Sequence, residues 1–567
     1  MLAVLDIETT GLNRYKDKIT WIGVALFKQE TRVYEPYKVY TLDPNVPEQR
    51  EKLVRIFNKL LKHKVKCIWQ NGKFDTLWIE HFFNIRLPIS YDVMLMGTAY
   101  ELVAKHGLKS MAQQYLGVED WDIDKKTKLS GDSESVVPYL KLDLKYTYLL
   151  YVYFKERMDK TQKRIYAKLL MPAYRLYRKV EREGIYFNLP QYYKVKKEYA
   201  EREQEVLDKL NKYYEINWNS SQQKADVLFN KEGLPIIKQT AKGAPSTDKS
   251  VLKRLAGKGF EIPQLILDYS ALNTLNKMFL ARWGDDAVDS RLHPSFNITN
   301  VISGRTSSSG PNLQQSPNDK NIRSLFTAPE GKVFFEADYS QLELRIAAHY
   351  ANEPTMLSIY KNHGDIHMTT AELLAQGTPT KEDRKKAKSV NFGYLYGMQS
   401  KTFMGYAYDS YGVEFTMEEA EDIRHNFFRK YSKLQPWYHQ QEIKCERDGG
   451  VYNLFGRFRA LPDIYSQDKF KRMAAIRRAI NTPVQGTGSD ILLSAAIQVD
   501  KELGPHGLKI VGTVHDSILG EFYAEDEEWI VPEIRRIMEK PDLLKTFGIE
   551  LKVNLEVDIG VGPWGSK

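Results

Sequence analysis

Asp6 and Glu8 close an apolar run that starts at Leu2, and their two-residue spacing puts both carboxylates on one side of an extended chain. Such a pair can hold hard divalent cations. Two cations held together activate water and stabilise the leaving oxygen in phosphodiester cleavage, provided that three or four carboxylates converge from different segments. Two more acids qualify as candidates. Asp75 ends Asn71-Gly-Lys-Phe-Asp75 just after the apolar run Cys67–Trp69, and Asp143 follows Tyr139 by one helical turn, so phenol and carboxylate share a face. Each acid alone would more often be a solvated surface group; the set is what points to chemistry.

A second constellation lies in the C-terminal half. Asp338 emerges from the strand-like run Val333–Ala337, and Asp516 follows a similar run in Val514-His515-Asp516-Ser517. On adjacent strands these two could clamp a metal pair that lowers the pKa of a 3′-hydroxyl and neutralises a triphosphate. Between them Arg384, Lys388, Phe392 and Tyr396 recur every fourth residue, one slowly drifting helical stripe with cations at one end and aromatic planes at the other. That pattern suits a nucleoside triphosphate, charge on the phosphates and a stacking face for the base. The bland alternative is a basic amphipathic surface helix. The chain contains neither a GxxxxGK[ST] phosphate loop nor a GxGxxG fingerprint, which argues against a P-loop motor or a dinucleotide enzyme.

The elements that must position these residues are legible in outline. The first 150 or so residues alternate strand-like runs (Leu2–Ile7, Ile19–Phe27, Lys66–Trp69) with helical ones (Glu48–Leu61, Leu108–Tyr115), which predicts an α/β sheet domain. Residues 156–215 have few breakers and predict long helices, with Pro190 in a first turn. A loop is expected over Gly233–Asp248, a helix over Pro263–Arg282, and helices through much of 341–440. A further helix should start at Lys469, with strands near Lys509–Val514 and Glu550–Val557.

Length and composition bound the rest. At roughly 100–200 residues per domain, 567 residues imply several domains, and 42% hydrophobic with 27% charged residues is ordinary globular composition. The formal charge of +9 points weakly to a polyanionic partner. Cys67 and Cys445 are the two cysteines, too few and too far apart for a disulfide framework or a cysteine zinc site, so a reducing compartment is expected. The longest apolar stretches, such as Ile491–Val499, fall short of the roughly 18–20 residues that span a bilayer. Met1 runs straight into a strand-like segment rather than a signal peptide.

Asp-Ile-Glu-Thr-Thr-Gly, Asn-Gly-Lys-Phe-Asp and Tyr-x-x-x-Asp occur in the order that resembles the DEDDy 3′–5′ proofreading exonucleases, over about residues 1–155. The resemblance implies that Asp6, Glu8, Asp75 and Asp143 hold two metals and that Tyr139 orients the attacking water. The whole chain, residues 1–567, resembles a family A DNA polymerase of the bacterial DNA polymerase I large-fragment type, or a bacteriophage version of it. The likeness rests on Ser303-Gly-Arg-Thr-Ser-Ser, Pro311-Asn-Leu-Gln, Asp338-Tyr-Ser-Gln, Gly364-Asp-Ile-His, Lys388-x-x-Asn-Phe-Gly-x-x-Tyr-Gly, Asn481-Thr-Pro-Val-Gln-Gly-Thr and Val514-His-Asp. It implies an α/β exonuclease domain with an RNase H-like mixed sheet, followed by an α+β right-hand polymerase. The expected division is exonuclease 1–155; palm 156–190, 291–350 and 441–567; thumb 191–290; and fingers 351–440. These residues leave no room for the 5′ nuclease that some relatives carry.

By the same likeness Asp338, Asp516 and the Tyr339 carbonyl bind the catalytic metals, while His367, Arg384 and Lys388 meet the triphosphate. Phe392 packs on the incoming nucleotide, and Glu343 with Tyr396 crowds the ribose 2′ position. Arg305, Asn481, Gln485, His515 and, more weakly, Arg477 touch the primer–template. The implied cofactor is Mg²⁺, two per active site, with Mn²⁺ as a substitute. The implied partners are primer–template DNA, dNTPs and a single-stranded DNA 3′ end, with no membrane; a monomer is expected, and a processivity factor is left open. The expected location is the bacterial or phage-infected cytoplasm, with a mature organellar form as the other choice. Three positions depart from the family pattern: Ser517 where Glu is usual, Ile476 where Glu precedes Arg477, and Ser270 where Tyr-Arg is usual. The function implied is template-directed DNA synthesis with proofreading; the alternatives are an exonuclease whose polymerase body mainly binds DNA, and a nonenzymatic nucleic-acid clamp.

Overall fold

The computed structural model describes residues 1–102, 105–375 and 377–566. The chain forms two compact units, one of residues 1–183, 295–309 and 336–559, the other of residues 184–294, 310–335 and 560–567.

The first unit opens with a five-stranded sheet. Leu2–Thr9 (β1) pairs antiparallel with Ile19–Phe27 (β2), which pairs antiparallel with Lys38–Leu42 (β3). On its other side β1 runs parallel to Lys66–Trp69 (β4), and β4 to Tyr91–Asp92 (β5), giving the order β3-β2-β1-β4-β5. Ala3, Val4 and Leu5 are fully buried, as the run's lack of alternation implies for a strand covered on both faces. The covering Ser133–Arg157 helix comes close because Gly23 lacks a side chain: a Cβ there would lie 2.9 Å from Leu144 and 3.0 Å from Leu140. Since Gly23 is the register partner of Asp6, this close approach brings the helix that carries Asp143 to the strand that carries Asp6.

Farther along, Ile185–Tyr186 (β6) pairs with Arg291–Leu292 (β7) in the second unit, and Ser295–Asn297 (β8) with Ser307–Ser309 (β9) in the first. Lys332–Tyr339 (β10) belongs to a second sheet, while Gly450–Tyr452 (β11) and Phe458–Ala460 (β12) make a separate ribbon. Lys509–Val514 (β13) and Ser517–Tyr523 (β14) form a hairpin, and with β10 and Val557–Val561 (β15) the order is β13-β14-β10-β15. The strand expected at Glu550–Val557 therefore lies one segment later. Val553 and Leu555 are buried as the alternation requires, but their neighbours' carbonyls are taken elsewhere: Asn554 O accepts from Arg345 at 2.7 Å and Glu556 O from the Ser340 N–H at 2.8 Å.

Two helices of the first unit matter for the site. Lys381–Leu395 starts at a capping box in which Thr380 and Asp383 satisfy each other's backbone N–H. Lys469–Leu503 runs for 35 residues from the Asp468 cap, through Pro483, and buries a small-residue stretch that includes Gly486, Thr487, Gly488 and Ser489. In the second unit the helices Leu189–Tyr213, Lys249–Gly257 and Glu261–Leu275 enclose a core around Trp218, Leu228, Leu255 and Ile266, and Pro190 sits in a first turn as expected. The helix expected over Pro263–Arg282 gives way after Leu275 to the wider-wound turn Asn276–Leu280. Both cysteines are buried and free, and among the described residues no helix is long and apolar enough to cross a membrane.

Candidate active sites

The first site forms where β1 meets two helices. Asp6, Glu8 and Asp143 bring carboxylate oxygens within 4.8 Å of one another. Asp75 joins from the first turn of the Gly72–Phe83 helix, and its Oδ1 accepts the Ile7 N–H at 3.1 Å, tying it to the strand between the other two acids. Burial pushes the Asp6 and Asp75 carboxyls well above the ordinary range, and Asp75 and Asp143 beside Asp6 add to the effect there. Glu8 is pushed up to about 7, by burial first and by Asp143 second. Lys109 opposes this negative charge, donating to both Asp143 oxygens at 2.8 and 2.7 Å, and Trp121 Nε1 donates to Asp143 Oδ1 at 2.6 Å. Lys128 adds a second ammonium near Glu8, but two do not balance four acids, and among the described residues the buried Asp6 Oδ2 has no hydrogen-bond donor. An oxygen-rich, under-compensated set of this kind fits hard divalent cations. Tyr139 accepts from Lys109, and burial with the surrounding carboxylates raises its phenol, which keeps it protonated.

The second site is built on the β13–β14 turn. His515 adopts φ +52°, and the two-residue turn aims Asp516 back toward β10, where the Tyr339 N–H donates to the Asp516 carbonyl at 3.2 Å. Burial pushes the Asp516 carboxyl up to about 6, with Glu343 and Asp338 adding to the rise and Arg305 opposing it. The backbone that carries Asp338 is fixed from below. Tyr339 donates its hydroxyl to Met538 O at 2.7 Å, and the buried Arg345 donates to Ser340 O at 2.9 Å while pairing with Glu556. Glu343 accepts from Arg305 at one oxygen and from the Tyr396 hydroxyl at the other. Here too the donors are oxygens, and the carboxylates outnumber the nearby cations.

The Lys381–Leu395 helix supplies the rest. Arg384 donates to Asp365 at 2.7 Å, Lys388 is exposed, and half-buried Phe392 lies 5.8 Å from the His367 ring. Tyr396 caps the helix at its far end. Burial pushes His367 down to about 4, with Arg384 and Lys388 contributing, so the imidazole is neutral at pH 7. Asn391 accepts from Thr370 at its oxygen and therefore donates from Nδ2 to His367 Nδ1 at 2.8 Å, which leaves the ring proton on Nε2. Arg477, Asn481 and Gln485 follow one another at helical spacing on Lys469–Leu503. Arg477 is exposed, and Asn481 Oδ1 is buried with no donor among the described residues.

The structure thus brings together Asp6, Glu8, Asp75, Tyr139 and Asp143 in one place, and Arg305, Asp338, Tyr339, Glu343, Tyr396 and Asp516 in another. Sequence reasoning missed Lys109 and Trp121, because each reaches Asp143 across 34 and 22 residues from positions with no motif around them.

The chain thus carries a strand-borne acid cluster on a mixed sheet, followed by acids on a strand and a hairpin turn beside a basic-aromatic helix: two separate candidate metal sites. The family model for DNA polymerase family A matches residues 190–566, and that for a 3′-5′ exonuclease matches residues 3–159. The chain belongs to DNA polymerase family A. It is 31% identical to DNA polymerase I of Pseudomonas aeruginosa over 99% of this chain and 63% of that protein. Against DNA polymerase I of Caldicellulosiruptor bescii it is 37% identical over 64% of this chain and 43% of the relative. For that of Aquifex aeolicus the figures are 28%, 98% and 94%. The chain therefore spans less than two thirds of several relatives and nearly all of another. The polymerase domain of Pol1 from M. smegmatis, solved in complex with DNA primer-template and dNTP, shares the fold with a TM-score of 0.82 at 23% identity, over 99% of this chain and 95% of that one.

Proposed function

We propose that this chain is a template-directed DNA polymerase that adds deoxynucleotides to a primer 3′-hydroxyl and proofreads with a 3′–5′ exonuclease. The observation that carries the reading is the presence of two separate carboxylate clusters, the second of which lies beside a helix of cations and aromatics. Asp338, Asp516 and the Tyr339 carbonyl would hold two Mg²⁺, for which Mn²⁺ could substitute, and Asp6, Glu8, Asp75 and Asp143 would hold another pair. When bound, such ions supply Lewis-acid activation of the attacking oxygen and charge neutralisation on the phosphates. Arg384, kept in place by Asp365, meets the triphosphate with Lys388, and neutral His367 offers its Nε2–H to a phosphate oxygen. Phe392 packs on the nucleotide, and the Glu343–Tyr396 pair fills the space a ribose 2′-hydroxyl would need.

Primer–template binds along Arg305, Asn481, Gln485, His515 and Arg477, where the donorless Asn481 oxygen suits a minor-groove amino group. Residues 1–155 make the exonuclease that takes a single-stranded 3′ end; 156–190, 291–350 and 441–567 the palm; 191–290 the thumb; and 351–440 the fingers. The chain works as a monomer in the cytoplasm. The test is primer extension with Mg²⁺ and each dNTP omitted in turn: extension should halt before the first template base that needs the missing nucleotide. Shortening of the primer without extension would leave only the nuclease, and neither would leave only DNA binding.

A further inference from the structure

Lys73 lies inside Asn71-Gly-Lys-Phe-Asp75, two residues before a carboxylate of the first site, yet its side chain points away from that site and is 6% exposed. It pairs with Glu181, itself 5% exposed, and donates to Phe296 O at 2.7 Å. Glu181 also accepts from the Phe296 N–H at 2.5 Å and from the Ser295 hydroxyl at 3.2 Å. Both backbone groups of Phe296 on β8 are therefore held by one buried ion pair. β8 and β9 bracket the loop that presents Arg305, and Arg305 bonds Glu343 beside Asp516.

Glu181 is on the Met171–Glu183 helix, and other residues of that helix repeat the connection. The Tyr174 hydroxyl accepts from the Lys73 N–H at 3.1 Å and donates to Asn71 Oδ1 at 3.0 Å, fixing the turn that launches the Asp75 helix. One turn on, the Tyr177 hydroxyl lies 3.2 Å from Thr306 Oγ1 and 2.8 Å from Thr513 Oγ1, next to Arg305 and on the strand leading to Asp516. Tyr174, Tyr177 and Glu181 share one helical face. One rigid helix thus braces the nuclease turn and both polymerase segments.

We propose that the Lys73–Glu181 ion pair sets the geometry of both active sites, making Lys73, a residue of the nuclease motif, a positioning residue for DNA synthesis. The proposal rests on the two-activity reading above. Removing Lys73 takes away the donor to Phe296 O and the lysine beside Glu181, so β8 and the Arg305 loop shift although the altered residue lies in the nuclease motif. The pair's effect on synthesis is exerted through Arg305, hence on the hold on primer–template rather than on the chemical step.

The test uses the full chain and a primer ending in a 3′ phosphorothioate linkage, which resists excision, with single-nucleotide addition read as kcat and KM for primer–template. Lys73→Met should raise KM roughly tenfold with kcat within about twofold of the parent. It should also slow degradation of an unmodified single-stranded oligonucleotide. Adding Glu181→Gln to Lys73→Met removes the carboxylate that has lost its lysine, keeps an oxygen for the Phe296 N–H, and should recover at least half of the KM change on a logarithmic scale. Loss of folded enzyme would instead lower kcat and leave KM alone. Should Lys73→Met fail to melt cooperatively, Glu181→Gln alone decides, with an expected KM rise of about threefold. Slowed degradation with an unchanged KM, in whichever variant folds, overturns the proposal. Failure of the parent to extend at all would instead count against the function proposed above.

Discussion

Ser517 stands where the family it resembles usually has a glutamate, and its hydroxyl donates to Val514 O at 2.8 Å, closing the turn that presents Asp516. The side chain is 3% exposed, so it serves the hairpin rather than an outside partner. Ser517→Ala should therefore keep extension within about twofold and cost about 1 kcal/mol of stability, read from steady-state kinetics and denaturant melts. A variant as inactive as Asp516→Ala would give the hydroxyl a direct role. His367 makes a second residue-scale prediction. Its folded pKa, near 4, lies below that of the unfolded chain, so the unfolded state takes up the extra proton as pH falls from about 6.5 to 4. The contribution is present above that window and lost through it. Between pH 7 and 4 the parent should lose up to about 3 kcal/mol more stability than His367→Gln; parallel losses would mean that the imidazole is not held neutral. Gly364-Asp-Ile-His singles out His367, and the structure sets its ring 5.8 Å from that of Phe392. That it is neutral was not legible, since its burial and the Asn391 contact are tertiary.

The β8–β9 loop illustrates what spacing can and cannot reveal at the scale of an element. Glycine and serine crowd residues 303–310, of which 307–309 form β9, and nothing local says why Gly304 is required. It has φ +83°, and a Cβ there would lie 2.9 Å from Arg457 Nη1, whose guanidinium is buried against Asp490 at 2.6 Å. Gly304→Ala must strain the backbone and push on an ion pair that cannot move into solvent. We expect a stability loss of roughly 1–3 kcal/mol and a higher KM for primer–template, because Arg305 comes next in the chain. Unchanged melting and KM would show that the loop yields freely. The misplaced strand has a similar lesson: Glu550–Val557 alternates correctly in burial, but Arg345 and Ser340, some 200 residues earlier, claim its carbonyls. Periodicity reports which side chains are buried, whereas ladder pairing depends on what else needs those backbone groups.

Across the whole molecule, the acids of both sites were legible because each sits in a short motif, Asp6, Glu8, Asp338 and Asp516 at strand ends or a hairpin turn and Asp75 and Asp143 on helices, and the family's order of motifs is intact along the chain. The braces between the sites were not. Lys73 and Glu181 are 108 residues apart, Tyr177 and Thr513 are 336 apart, and neither pair has a local signal. The central claim is that one chain houses two independent chemistries, and the most direct measurement is a reciprocal loss of function on one labelled primer. Asp516→Ala should abolish nucleotide addition while single-stranded 3′ ends are still degraded. Asp6→Ala with Glu8→Ala should leave a mismatched 3′ end uncut while a matched primer is still extended. Extension by Asp516→Ala, or excision by the Asp6→Ala, Glu8→Ala double variant, would contradict the account.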